Sequence, residues 1–266
     1  MNNLNYDMMI DNFSTFSQPL QIALGITGAA ILIVCLVSIV VSLLLSASYM
    51  KFNRRPNSSG LTGEAAARKL LDLNGLRNIK VSVSGSMMYG NSYSHYFKKV
   101  RIRRFTKNKE SLTALAIGSQ KAALAVLDKE NDPDMKKRIR LAPFIYLGPV
   151  AFIPLVLVGY AIDYFILHTS GYCTTAFTVI GLVFYFISIL FTLSTIKTEK
   201  KAQIKACTML RDFGLASEEE IADMKKLYRL YNIQYINDAI LSILEFVYYA
   251  LQIIASMNGN SSSAQA

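Results

Sequence analysis

Four apolar runs constrain this chain more than anything else in it. They cover Leu20 to Tyr49, Leu141 to Leu167, Thr174 to Thr195 and Ile233 to Ala255, and each meets the roughly 20 apolar residues that carry an α-helix across a hydrocarbon core. In lipid the backbone must satisfy its own hydrogen bonds, so each run reads as a helix. With 52% hydrophobic residues in 266, the chain is neither a soluble globule nor a disordered segment. The fold class expected is a mainly α membrane protein, four transmembrane helices with a small cytoplasmic α+β domain of helix, β-hairpin and helix.

Charge sets the expected orientation. All 28 Lys and Arg residues fall in two blocks, 20 within 51–141 and 8 within 196–230. The positive-inside rule places both blocks in the cytoplasm and both termini outside the cell membrane. The resulting layout is an external arm over 1–19, a first span over 20–50, a cytoplasmic domain over 51–140 and a transmembrane hairpin over 141–195. A basic helical segment over 196–232, a last span over 233–255 and an external tail over 256–266 complete it. No basic segment precedes the first run, which therefore reads as an uncleaved anchor rather than a signal peptide. Cys35, Cys173 and Cys207 have no metal-binding spacing and predict no intramolecular disulfide.

Local signals divide the domain further. Thr62 with Glu64 in the first turn opens a helix that Asn74-Gly75 closes. Strand-like runs at Ile79 to Val83 and Lys99 to Arg103 flank a Gly-, Ser-, Asn- and Tyr-rich stretch from Ser84 to Tyr96. Lys98 to Lys109 alternates basic and apolar residues, a pattern that suits phosphates or anionic headgroups and equally a charge-protected edge strand. Ser111 to Asp128, rich in Ala and Leu, reads as a buried helix. Pro143, Pro149 and Pro154 predict a broken start to the second span, and Asp163 is expected near its outer end, within reach of water. Ser217 and Glu220 have capping-box spacing. Asp238 and Glu245, seven apart, share a helix face in or near the membrane. His95 and His168 are the two histidines, and the layout puts them on opposite sides of the bilayer, which leaves no pair for histidine-based catalysis.

Three blocks carry a family resemblance. Ser59-Gly60-Leu61-Thr62-Gly63 is followed by Ala67 to Leu76, then come Ser94-His95-Tyr96 with Lys99-Val100-Arg101-Ile102, and last Ser111 to Asp128. Together they resemble the bacterial multi-pass membrane zinc metallopeptidases of the YugP type, the neutral zinc metallopeptidases, whose third block carries H-E-x-x-H. In that motif two histidines one helical turn apart clamp zinc, and the glutamate deprotonates the metal-bound water. The resemblance aligns these positions with Gln120, Lys121 and Leu124. It also implies a further carboxylate ligand after the third span, where Glu199 is the one acid in Thr195 to Lys201, reading as an exposed residue among lysines.

The departures are chemical. A glutamine amide is a poor zinc ligand, leucine cannot ligate, and a lysine ammonium repels a dication. The sequence therefore reads as a degenerate member, a pseudopeptidase with no catalytic residues and no cofactor, zinc being lost, and with His95 and Glu199 as the remaining metal candidates. Its candidate interaction surface is His95, Tyr96, Lys98, Lys99, Arg101, Arg103 and Arg104. The partners implied are the lipid bilayer, an unidentified protein and anionic headgroups; nucleic acid is not expected, and homo-oligomerisation stays open. Two alternatives stand beside this reading: residual peptidase activity through His95, Glu199 and Asp128, and a small transport or channel element using Asp163, Asp238 and Glu245.

Overall fold

The computed structural model describes residues 18–84, 90–146, 149–168 and 171–263. The expected external arm lies outside the described residues except for 18–19, as do the side chains of the expected tail. In chain order the elements are α1 (Gln18–Arg54), α2 (Gly63–Leu73), β1 (Lys80–Ser84), β2 (Ser92–Ser94), β3 (Lys99–Arg103), the single turn α3 (Arg104–Lys107), α4 (Leu112–Lys129) and α5 (Pro133–Leu141). A 3-10 turn (Ala142–Tyr146), α6 (Pro149–Ile162), a π-helical turn (Asp163–Leu167), α7 (Tyr172–Asp212) and α8 (Glu218–Ser263) follow. Among the described residues, four helical stretches are long and apolar enough to cross a membrane: Gln18–Arg54, Val150–Leu167, Tyr172–Asp212 and Glu218–Ala255. The second has the broken start that its prolines predict, since Pro143 falls in the 3-10 turn and Pro149 opens α6.

The chain forms two compact units, Met1–Ile39 with Tyr146–Ile189 and Asn237–Ala266, and Val40–Ile145 with Leu190–Ile236. The first is apolar. Phe152, Tyr185 and Ile189 make one buried cluster, and a Cβ at Gly181 would stand 2.8 Å from the Phe152 ring, so only glycine admits this packing. Asp163 departs from expectation. It is buried, and its carboxylate accepts from the amides of Cys173 at 3.0 Å and Thr174 at 2.7 Å and from the Thr174 hydroxyl at 2.8 Å. Instead of reaching water it satisfies the orphan donors that open α7.

The second unit is built around α4, in which every residue from Leu112 to Leu127 is buried. A helix enclosed on all sides shows no amphipathic stripe, which is why its sequence is simply Ala- and Leu-rich. Its closest neighbour is α2. A Cβ on Gly118 would fall 2.3 Å from the Gly63 carbonyl oxygen, so the two backbones touch where both residues are glycine. Thr62 caps α2 by accepting from the Ala65 amide at 3.2 Å, and Gly75, at φ +69°, closes it in the left-handed conformation.

The sheet has the order β1-β3-β2. The two runs expected from the sequence pair with each other in parallel, Lys80 beside Lys99, and the antiparallel partner of β3 is the three-residue β2. The hairpin is thus β2 with β3, and the connection over 84–99 is long enough for the crossover that parallel strands need. β3 is the central strand, not a protected edge: Val100 and Ile102 are fully buried between basic residues that point the other way.

Candidate functional site

The N-terminus of α4 is fixed before its centre acquires any chemistry. The Ser111 hydroxyl accepts from the Ala114 amide at 3.2 Å and donates to Asn53 at 2.9 Å. Buried Asn57 donates to the carbonyls of Leu61 and Ser111, while its own Oδ1 accepts from the Leu61 amide and the Ser59 hydroxyl. Glu220 forms the capping box with Ser217 and also accepts from the Ser58 amide at 2.6 Å and hydroxyl at 2.5 Å. The stretch from Asn57 to Gly63 is therefore a pinned loop. It sets the axial position of α4 through Gly63 and Gly118.

Halfway along α4, Gln120 and Lys121 meet Glu199 of α7. Glu199 is 3% exposed. Its Oε2 accepts from Gln120 Nε2 at 2.7 Å and from Lys121 Nζ at 2.9 Å, and its Oε1 from Arg138 Nη2 of α5 at 3.0 Å. The carboxylate thus holds two cations and an amide, and the Arg138 Nη1 donor is buried with no partner among the described residues. Leu124 takes no part in this cluster. It is fully buried in the apolar core. Tyr228 donates to the Ala116 carbonyl at 2.6 Å, which holds α8 against the same helix.

The cluster opens on a small cleft of about 200 Å³ lined by Asn91, Arg103, Gln120, Lys121, Tyr231 and Tyr235. The remaining sequence candidates lie along the sheet. His95 Nδ1 and the Tyr93 hydroxyl both bond Asp128 Oδ2 at 2.6 Å, and Lys98 Nζ stands 3.9 Å from the same atom. Burial, then its hydrogen bond to Asp128, drives the Tyr93 phenol well above its ordinary pKa. His95 and Asp128 thus belong to one hydrogen-bonded group and Glu199 to another. Tyr96 and Phe97 are exposed, Phe97 against the Arg101 guanidinium at 5.7 Å. Lys98, Arg103 and Arg104 are exposed and Lys99 half-buried. Of the two acids expected in or near the membrane, Glu245 accepts from the Tyr185 hydroxyl at 2.6 Å, whereas Asp238 is exposed.

The site thus stands in a chain with helices long and apolar enough to cross a membrane, a small mixed sheet and a fully buried central helix. The chain belongs to the family described as "Putative neutral zinc metallopeptidase", which matches residues 27–254. It is 22% identical over 212 residues to the "Putative membrane protease YugP" of Bacillus subtilis (strain 168), an alignment covering 78% of this chain and 87% of that protein. No solved structure matches the chain.

Family membership corrects one expectation from the sequence. The family is one of zinc metallopeptidases and implies zinc, so the reading of no cofactor is withdrawn. The residues gathered around Glu199, however, do not fit that ion. They offer one anionic ligand, already bonded to three donors, and a surplus of buried N–H groups where a dication needs about three electron-pair donors. Among the described residues no group of three His, Cys, Asp or Glu is placed to hold a metal.

The sequence missed Arg138 and Asn57, read Glu220 only as the capping-box partner of Ser217 and not as the acceptor of Ser58, and misplaced Glu199 as exposed. A signal for Glu199 exists: it shares a helix face with Ala202 and Ala206, both fully buried, while Lys197 and Lys200 lie on the opposite face.

Proposed function

We propose that this chain is a non-hydrolytic, membrane-embedded member of the family that engages a protein partner at the cleft over Gln120 and the adjoining surface of Tyr96, Phe97, Lys98, Arg103 and Arg104. The observation that carries the reading is the engagement of Glu199 by Lys121, Gln120 and Arg138. At the motif position Lys121 places a cation against the Glu199 carboxylate, taking up the oxygen Oε2. Lysine stands where the motif has its glutamate, so the cleft lacks the carboxylate that serves there as general base. The name of the Bacillus relative, a membrane protease, points to a protein chain as the class of ligand. Exposed aromatics beside arginine suit such a contact. The charge asymmetry of the loops supports a cytoplasmic position for this face.

The test joins cross-linking to hydrolysis. A photo-reactive residue replaces Tyr235 in the full-length protein in membranes, and the adduct is compared with and without Lys121→Met. A discrete adduct that disappears in Lys121→Met and forms without shortening of the bound protein supports the reading. Cleavage of the bound protein that Glu199→Ala abolishes overturns it.

A further inference from the structure

A second groove lies away from that cleft. It is a cavity of about 600 Å³ between the 200–211 stretch of α7 and the 225–236 stretch of α8. Gln203 and Asn232 exchange two hydrogen bonds, at 3.0 and 2.8 Å, which fix the spacing of the two helices. The apolar part of the lining is Ile204, Ile233 and Ile236, which are 62%, 42% and 49% exposed. Lys200, Lys225 and Arg229 stand exposed on the two walls. Among the described residues no Asp or Glu lines the groove. Arg211, at one end, is neutralised by Glu218 at 2.5 and 2.8 Å.

On α8, Lys225, Arg229 and Ile233 follow one another at single helical turns, and because Gln203 faces Asn232 and Arg211 faces Glu218, Lys225 and Arg229 lie at the end of the groove away from Ile236. A ligand that satisfies both cations and isoleucines must carry an anionic head and an apolar body. Ile233 and Ile236 also begin the apolar run that continues to Ala255, so the isoleucine strip leads directly into a membrane-crossing stretch. We infer that this groove binds an anionic phospholipid of the surrounding membrane, with its phosphate held by Lys225 and Arg229 and an acyl chain laid over Ile204, Ile233 and Ile236. Basic pockets between spanning helices are suited to such headgroups, and each near-surface cation strengthens the attraction by a factor of about five.

The full-length protein, purified in detergent, is incubated with phosphatidylglycerol, phosphatidylcholine or glycerol phosphate and read by native mass spectrometry. The expected result is retention of phosphatidylglycerol, with neither of the others held. The Lys225→Gln/Arg229→Gln variant reduces that retention by roughly 20- to 30-fold, and Lys69→Gln/Arg77→Gln, with the same loss of charge elsewhere, does not. Equal retention of phosphatidylcholine overturns the inference, as does equal retention of glycerol phosphate, which would make this a free-anion site. Undiminished retention in Lys225→Gln/Arg229→Gln also overturns it, and so does a dimer that this variant dissolves, which would mean that a second copy of the chain fills the groove.

Discussion

Neutralising Glu199 exposes the energetics of the motif position most sharply. In Glu199→Gln the volume is nearly unchanged, but the carboxylate between Lys121 at 2.9 Å and Arg138 at 3.0 Å disappears. Buried Lys121 and half-buried Arg138 are left without a counter-charge, and breaking a buried pair from one side costs about 3–5 kcal/mol. Lys121→Met removes one cation while Glu199 keeps Arg138 and Gln120, so its effect is smaller, about 1–3 kcal/mol. The double variant retains one uncompensated cation in place of two and is less damaged than the sum of the singles, with a coupling of about 1–3 kcal/mol. The chain has no Trp, but Cys207 is buried in the same unit. Titration with a denaturing detergent can therefore be followed by thiol labelling of that residue. A Glu199→Gln protein within about 1 kcal/mol of wild type, or strict additivity in the double variant, would falsify the assignment of this cluster as a coupled ion group.

Four further outcomes are expected. Gly118→Ala forces a Cβ to 2.3 Å from the Gly63 carbonyl and should destabilise the protein by about 1–3 kcal/mol, measured by the same titration; a neutral effect would contradict the backbone contact. Glu220→Ala removes the capping box and the Ser58 bonds together and should lower stability by about 2 kcal/mol, with faster proteolysis at residues 57–61 as the local signature. Asp128→Asn weakens the acceptor shared by Tyr93 and His95; limited proteolysis should show a loosened 93–98 hairpin, with the 57–61 loop unchanged. Partial burial tends to raise the Asp132 pKa, but the Lys201 ammonium and the amides of Met135 and Asp134 outweigh this and hold it below the ordinary range. The folded-state pKa is the depressed one, so this contribution is complete above the unfolded value near about 4. It is lost as pH falls through the folded value, and Asp132→Asn should flatten that part of the acid unfolding curve.

The spans, the caps at Thr62 and Ser217 and the end at Gly75 were readable because each depends on neighbours in sequence. The parallel pairing of β1 and β3 was not. It depends on Ser92–Ser94, three residues without a strand pattern inside a Gly- and Ser-rich stretch. At the site, residue identity alone gives Gln120, Lys121 and Leu124 at the positions that the resemblance aligns with the family's motif. What surrounds Gln120 and Lys121 could not be read, because Glu199 and Arg138 come from α7 and α5 and both stand in lysine-rich segments that suggest solvent. Helical periodicity, applied to Glu199, Ala202 and Ala206, carries the missing information. For Arg138 the position follows from the N-cap at Asp132, which fixes the start of α5 by accepting from Asp134 and Met135.

The most direct test is peptide hydrolysis by the full-length protein with zinc supplied, wild type against Glu199→Ala, across a pool of unstructured peptides read by mass spectrometry. The account predicts the same cleavage background for both proteins. Cleavage products made by the wild type and missing with Glu199→Ala would contradict it and return Glu199 to a hydrolytic site.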